Sequence, residues 1–153
     1  MRYIQTIKNQ FDNKCKPIEW NKAVAENTIK AIMNPMVVED KSKIPQWKFC
    51  SMKGEKRCTE NMGSTDILML DYDSTEYTIE QFQNRFRDYR YILHTSYSYD
   101  GVNQKFRVLL FLDKEYEINR FFFKGSQKQW SPYFYLIDFF DHVDPSSFVR
   151  AQF

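Results

Sequence analysis

The chain has 153 residues, a net charge of +2, and 42% hydrophobic and 18% aromatic residues. This length fits one domain, which buries about 70% of the surface that its unfolded chain exposes, and the composition argues against intrinsic disorder. The longest apolar runs, such as Val108–Leu112, are far too short to span a membrane, and the N-terminus lacks the apolar stretch of a secretory signal. We therefore expect a cytoplasmic protein with no membrane partner.

Cysteine spacing and charge distribution give two further expectations. Cys15, Cys50 and Cys58 are odd in number and have no C-x-x-C spacing, which predicts reduced thiols rather than a disulfide framework or a structural zinc site. Residues 1–60 hold 12 Lys and Arg against 7 Asp and Glu, a net +5, and residues 61–153 hold 10 against 13, a net −3. The asymmetry indicates either ordinary solvated surface or a basic segment that faces a polyanion beside an acidic half.

The first elements along the chain are weakly defined. Apolar residues at helical spacing predict a helix within residues 17–35, closed by an Asn-Pro pair. Residues 37–66 are polar and contain glycine and proline, so they predict a long loop with short extended pieces. Such a loop in a compact domain is more often functional than idle.

The central elements are better defined. Ile67–Asp71 is predicted to be a buried strand, and residues 74–89 a helix that opens with a serine or threonine cap. Residues 90–100 and 104–112 are predicted to form a hairpin around an Asp-Gly turn.

The C-terminal third completes the predicted fold. Residues 115–123 and 131–144 are predicted to be helices, and residues 145–153 to be extended. A strand, a helix, a hairpin and further helices predict an α+β fold, with helices packed on one face of a largely antiparallel sheet.

Two aspartates end the predicted strand. Side chains alternate along a strand, so Asp71 and Asp73 project from the same side, roughly 7 Å apart at Cα. Two carboxylates this close repel each other unless a cation lies between them, and Mg²⁺ or Mn²⁺ suits carboxylate oxygens. The pair therefore indicates either a metal site for phosphoryl transfer or, in Asp73, a cap for the next helix.

Other charged residues extend the metal hypothesis. Lys105 and Arg107 share one face of the second hairpin strand, where they suit either a triphosphate or cross-strand ion pairs. Asp138 and Asp141 fit an exposed helix face, whereas Asp144, where the predicted helix ends, is freer to reach a metal.

Together these residues resemble the catalytic core of archaeo-eukaryotic-type primase-polymerases (PrimPol), particularly the divergent members carried by phages and mobile elements. That family has a strand ending in D-x-D, a small-x-His motif on a hairpin and a hydrophobic-Asp motif. This chain has LDYD at 70–73, a Thr-Ser-x-Ser run followed by KFRVLLFL at 105–112, and HVDPSSFVRAQF at 142–153. The resemblance extends over residues 45–150.

The resemblance implies an RRM-like palm at residues 61–153, preceded by the basic segment 1–60 within a single domain, 1–153. The catalytic residues that it implies, as ligands of Mg²⁺ or Mn²⁺, are Asp71, Asp73 and Asp144. The nucleotide-binding residues that it implies are Ser96, Ser98, Tyr99, Lys105 and Arg107. The expected contacts with template or primer are Trp47, Lys48 and Lys53, through base stacking and phosphate binding; Trp47 fits the core equally well.

The chain departs from the family pattern in two ways. The histidine position falls at Ser98-Tyr99 or at residues 105–107, and neither holds a histidine. His94 comes four or five residues early, inside a predicted strand, and is one candidate for the displaced residue; Arg107 could replace the phosphate-binding role of that residue. The second departure is length, because the third motif is followed by no helicase domain, which leaves open a minimal palm, a fragment or a non-catalytic remnant.

The expected function is DNA-templated nucleotidyl transfer, as primer synthesis or DNA polymerisation, in phage or mobile-element replication by a two-metal mechanism. The expected partners are a single-stranded DNA template, nucleoside triphosphates and a replicative helicase acting in trans. The alternative is a non-catalytic palm-like module that binds single-stranded nucleic acid or a replication partner. A nucleotide-sugar glycosyltransferase would need an α/β unit before Leu70, and a metal-dependent nuclease would not need the Lys105–Arg107 pair.

Overall fold

The computed structural model describes residues 3–7, 14, 16–19, 21–34, 39, 40, 42, 46–56, 58–73, 76–118, 136 and 138–148. The strands and helices within them are β1 (Tyr3–Ile7), β2 (Lys16–Glu19), α1 (Lys22–Met33), β3 (Gln46–Lys48), β4 (Ser64–Tyr72), α2 (Ile79–Arg85), β5 (Tyr91–Thr95) and β6 (Phe106–Glu117). They form two antiparallel three-stranded sheets, ordered β2-β1-β3 and β4-β6-β5. The α+β fold class is confirmed, and the arrangement is compatible with an RRM-like palm.

One face of the β4-β6-β5 sheet carries the main core. Leu70 and Tyr72 of β4 are paired with Val108 and Phe106 of β6 and project from the same face. All four side chains are fully buried. The rings of Tyr72 and Phe106 stack with centroids 4.7 Å apart. Phe82 of α2 meets both rings edge-on, at 5.4 and 5.9 Å. Because burying such a side chain contributes about 1.5–3 kcal/mol, this cluster holds α2 on the sheet.

The opposite face of the same sheet is also covered. Ile67 and Leu109 pack there with Phe49, and Val24 and Ile32 of α1 lie against this cluster. The two helices therefore lie on opposite faces, and the prediction that helices cover one face is wrong. The run of four apolar residues in β4 is typical of a strand buried on both sides.

Both described helices are shorter than predicted and have defined caps. α1 begins after Asn21, whose side chain accepts a hydrogen bond from the N–H of Val24 at 3.0 Å. α2 begins after Thr78, which forms a capping box with Gln81. The cap expected at residues 74 and 75 lies outside the described residues.

The predicted hairpin is confirmed, and β5 pairs antiparallel with β6. At its tip Gly101 has φ +87, in the region that favours glycine. The carboxylate of Asp100 accepts hydrogen bonds from the backbone of Val102 and Asn103, and these bonds, chiefly that from Asn103, lower the pKa of Asp100.

Two predictions for the C-terminal third are wrong where the structure describes it. Residues 115–117 continue β6 instead of starting a helix, because Thr65 and Ser64 of β4 pair with Tyr116 and Glu117. Ile118 is helical, as predicted, and residues 119–123 lie outside the described part. Pro145–Phe148 is a 3₁₀ turn rather than extended chain, and residues 149–153 lie outside. Of the predicted helix 131–144, residues 136, 138 and 139 are described as helical.

The segment before β4 is tied to the palm-like sheet. The N–H of Ser51 donates to the carbonyl of Ser64, and the N–H of Gly63 donates to the carbonyl of Ser51.

Cys50 is buried in the main core and Cys58 is half-buried, both as free thiols, while Cys15 lies outside the described residues. No described helix is both long and apolar enough to cross a membrane.

Candidate functional site

Asp71, Arg107 and His94 form a row across the β4-β6-β5 sheet. Asp71 pairs with Arg107 in the β4–β6 register, and Arg107 pairs with His94 in the β5–β6 register. Directly paired residues project from the same face, and this face is opposite the one that carries Tyr72. The row lies at the end of the sheet where β4 finishes.

Asp71 and Arg107 form an ion pair at one carboxylate oxygen. The Nη2 and Nε atoms of Arg107 lie 3.0 and 3.2 Å from Oδ2 of Asp71. The other oxygen, Oδ1, is buried and has no hydrogen-bond partner among the described residues. Since 23% of the Asp71 side chain is exposed, the accessible oxygen of this carboxylate is the one that Arg107 holds.

The C-terminal segment meets β4 at Asp71. The N–H of Asp144 donates to the carbonyl of Asp71 at 2.8 Å, and the N–H of Asp71 donates to Oγ of Ser147 at 2.9 Å. The N–H and the carbonyl of Asp71 thus point away from β6, so Asp71 and Arg107 form a non-hydrogen-bonded pair. In an antiparallel sheet the side chains of such a pair lie closer together than those of a hydrogen-bonded pair. The carboxylate of Asp144 accepts from the N–H of Ser146 at 2.8 Å and so stabilises the 3₁₀ turn.

Contacts with α2 hold the turn that carries Asp144. Arg85 donates to the carboxylate of Asp141 at 2.6 Å and to the carbonyl of Phe139 at 2.7 Å. His142, at φ +63, stacks on Tyr77 with ring centroids 5.0 Å apart. Asp138 is helical and exposed, as predicted, whereas Asp141 is exposed but lies in a turn after the helical residues.

His94 lies inside β5 and faces Arg107. Burial lowers its pKa, a hydrogen bond with the carbonyl of Thr95 partly opposes this, and the charge of Arg107 lowers it further. His94 is therefore neutral near pH 7. Two interstrand spacings of about 4.8 Å separate it from Asp71. The sequence identified His94 as a candidate but not its alignment with the aspartate.

The remaining residues expected to bind nucleotide lie near the hairpin tip. The N–H of Ser96 donates to the carbonyl of Lys105 at 2.9 Å, and Oγ of Ser96 is buried without a partner in the described part of the chain. Lys105 is half-buried and precedes β6 directly. Ser98 and Tyr99 are exposed in the tip itself.

The three residues expected to contact nucleic acid, Trp47, Lys48 and Lys53, differ in their burial. Trp47 packs against the cluster around Phe49, and Lys48 is only 5% exposed. The burial of Lys48 does not fit an accessible phosphate contact, whereas Trp47 is half-buried. Lys53 is exposed.

The carboxylates fit only one kind of metal site. Among the residues that the structure describes, no three His, Cys, Asp or Glu side chains lie close enough together to hold a metal ion, so Asp71, Asp73 and Asp144 do not form a preassembled cage. Asp73 is exposed and has no hydrogen bond or ion pair with a described residue. Asp71 and Asp73 fit the common magnesium site in which one or two carboxylates act together with phosphate oxygens of the substrate.

Comparisons of the chain with protein-family models, curated proteins and solved structures found no match.

Proposed function

We propose that this chain catalyses DNA-templated nucleotidyl transfer, as primer synthesis or DNA polymerisation. The observation that supports this most is the meeting of three distant segments at one end of a sheet. Asp71 of the D-x-D segment is paired with Arg107 and hydrogen-bonded to the backbone of Asp144 and the side chain of Ser147. Acidic, basic and turn residues are thus concentrated where β4 ends, as a site for a metal and a triphosphate requires.

In this proposal Asp71 and Asp73 hold Mg²⁺ or Mn²⁺. When bound, the metal ions offset charge on the α-phosphate and favour deprotonation of the attacking 3′-hydroxyl. Arg107 and Lys105 bind the β- and γ-phosphates, the first through its planar fork and the second as a point charge. The turn that carries Asp144 keeps Asp71 in position.

The hairpin supplies the remaining contacts. The exposed Ser98 and Tyr99 contact the incoming nucleotide or the template base, whereas the hydroxyl of Ser96 is buried. His94 does not take over phosphate binding from the absent family histidine, because the single N–H of its neutral ring donates to the carbonyl of Thr95 and Nε2 is left as an acceptor.

The biological setting that we propose is replication of a phage or mobile element in the host cytoplasm. The partners are a single-stranded DNA template, nucleoside triphosphates and a replicative helicase acting in trans. Exposed lysines of the basic N-terminal segment, such as Lys53, would bind the template backbone.

The test is nucleotide incorporation by the purified protein on single-stranded DNA, with Mg²⁺ or Mn²⁺. The Asp71→Ala/Asp73→Ala variant is compared with a Glu80→Ala/Asp138→Ala variant, which removes the same charge from exposed positions elsewhere. We expect product from the wild type and the control, and none from the first variant. Absence of product with either metal, or equal product from all three proteins, would refute the proposal.

A non-catalytic module that binds single-stranded nucleic acid is the second candidate. It is favoured by the engagement of the accessible Asp71 oxygen by Arg107. This candidate predicts DNA binding that is strongly salt-dependent, independent of Mn²⁺ and unchanged in the Asp71→Ala/Asp73→Ala variant. Salt and metal titrations of DNA binding, run beside the incorporation assay, separate the two candidates.

A further inference from the structure

The carboxylate of Asp71 has no oxygen open to a cation as it stands. Oδ1 is buried, and Oδ2 accepts two hydrogen bonds from the guanidinium of Arg107. A divalent cation that approaches Asp71 must therefore displace Arg107, and it also meets the positive charge of that side chain at close range.

Arg107 is free to exchange partners. Its side chain is 40% exposed, and an ion pair this accessible is held by about 1 kcal/mol or less. Lys105 lies two residues before it, on the same face, and His94 lies beside it on β5. An anion that reaches this end of the sheet meets two cationic side chains, and the guanidinium fork matches two phosphate oxygens.

We propose that this site binds a divalent cation and a phosphate group as one unit, because phosphate draws Arg107 from Asp71 and frees Oδ2 for the cation. The ligand class is a metal-chelated polyphosphate, and either component alone binds more weakly. This inference rests on the metal-and-phosphate site of the proposed function, but it does not depend on the transfer step.

The coupling has a measurable size and must be reciprocal. Couplings between two ligands of one protein are typically 5- to 150-fold in affinity. Because one exposed ion pair is broken and one cationic repulsion is removed, we expect about tenfold here. Removal of the Arg107 side chain should raise the affinity for the cation by the same factor as phosphate does.

The test measures Mn²⁺ binding from the loss of the free-ion signal in electron paramagnetic resonance. Arg107→Gln is compared with the wild type and with Arg87→Gln, which removes the same charge from an 80% exposed side chain outside the site. Each protein is titrated in chloride and in sulfate at matched ionic strength, with sulfate as a weakly chelating substitute for phosphate. Circular dichroism checks that each variant is folded.

We expect Arg107→Gln to bind Mn²⁺ about tenfold more tightly than the wild type in chloride, and Arg87→Gln to bind it much as the wild type does. Adding Asp71→Asn to Arg107→Gln should abolish the gain. Sulfate should strengthen Mn²⁺ binding by the wild type but not by Arg107→Gln. An unchanged or weaker affinity in Arg107→Gln, or the same sulfate effect in both proteins, would overturn the inference.

The two proposals fail separately. If no nucleotide is incorporated but Arg107→Gln shows the expected gain, nucleotidyl transfer is refuted and the coupled site stands. If incorporation depends on Asp71 and Asp73 while Arg107→Gln binds Mn²⁺ no more tightly, the coupled site is refuted and the function stands.

Discussion

Replacing Ser147 by alanine should loosen the contact between β4 and the C-terminal turn. Ser147 is 2% exposed, and its Oγ accepts the N–H of Asp71 at 2.9 Å. Without the hydroxyl this N–H, at the edge of the sheet, has no protein partner. A buried polar group left unsatisfied costs about 1–3 kcal/mol, and the partial burial of this bond points to about 1–2 kcal/mol.

This loss should be visible in equilibrium unfolding. For a chain of this size 1 kcal/mol corresponds to about 2–4 °C in Tm, so Ser147→Ala should melt roughly 2–8 °C below the wild type. The control is Ser98→Ala, whose side chain is exposed in the hairpin tip and whose loss should be nearly neutral. Urea unfolding gives the free energies directly. If the two variants were equally stable, the role assigned to Ser147 would be refuted.

Three further predictions concern the core, a close backbone approach and pH. Phe82→Ala should lower the free energy of unfolding by about 3–5 kcal/mol, because Phe82 is fully buried between aromatic rings; a loss under about 1 kcal/mol in urea unfolding would contradict the packing described. Gly63→Ala should cost about 1–3 kcal/mol, because the added Cβ meets Oγ of Ser51; Ser51→Ala should relieve part of this cost in a double-mutant cycle, and strict additivity would argue against the clash. His94 has a lowered pKa when folded, so its contribution to stability is complete above the unfolded pKa of about 6.5 and is lost as the pH falls from there through the folded pKa. Melting temperatures between pH 8 and pH 5 should therefore fall more steeply for the wild type than for His94→Gln, and parallel curves would contradict this. The charged groups that face His94 across the sheet are Arg107 and Asp71.

The elements that depend on local pattern were predictable from the sequence. The apolar run before Asp71 gives a buried strand, and β-rich segments around an Asp-Gly turn give the hairpin. The capping box of α2 was also visible, because Thr78 and Gln81 have the required spacing, although the cap was expected earlier. By contrast, residues 115–117 are strand only because β4 offers them partners, and no local signal carries that information.

The residues of the site could be predicted from the sequence, but the strand register that brings them together could not. Period-2 alternation predicts that the Asp71 and Asp73 carboxylates share one side, but β4 ends at Tyr72, so the alternation of the strand does not extend to Asp73. Pairing Arg107 with both Asp71 and His94 requires the register across the hairpin, and the irregular loop between Thr95 and Phe106 does not fix that register in advance. The burial of Lys48 likewise follows from tertiary packing, which composition does not report.

We propose that a metal-bound triphosphate occupies the end of the β4-β6-β5 sheet at Asp71. The most direct test is the amide spectrum of the labelled protein with a non-hydrolysable nucleoside triphosphate, recorded with Mn²⁺ and again with Mg²⁺. We predict that Mn²⁺ broadens the signals of Asp71, Arg107 and His94 strongly. Ser64 and Glu117, about 23 Å away at the other end of β4 and its partner, should keep most of their intensity. Broadening centred on Ser64 and Glu117, or no broadening at all, would contradict the account.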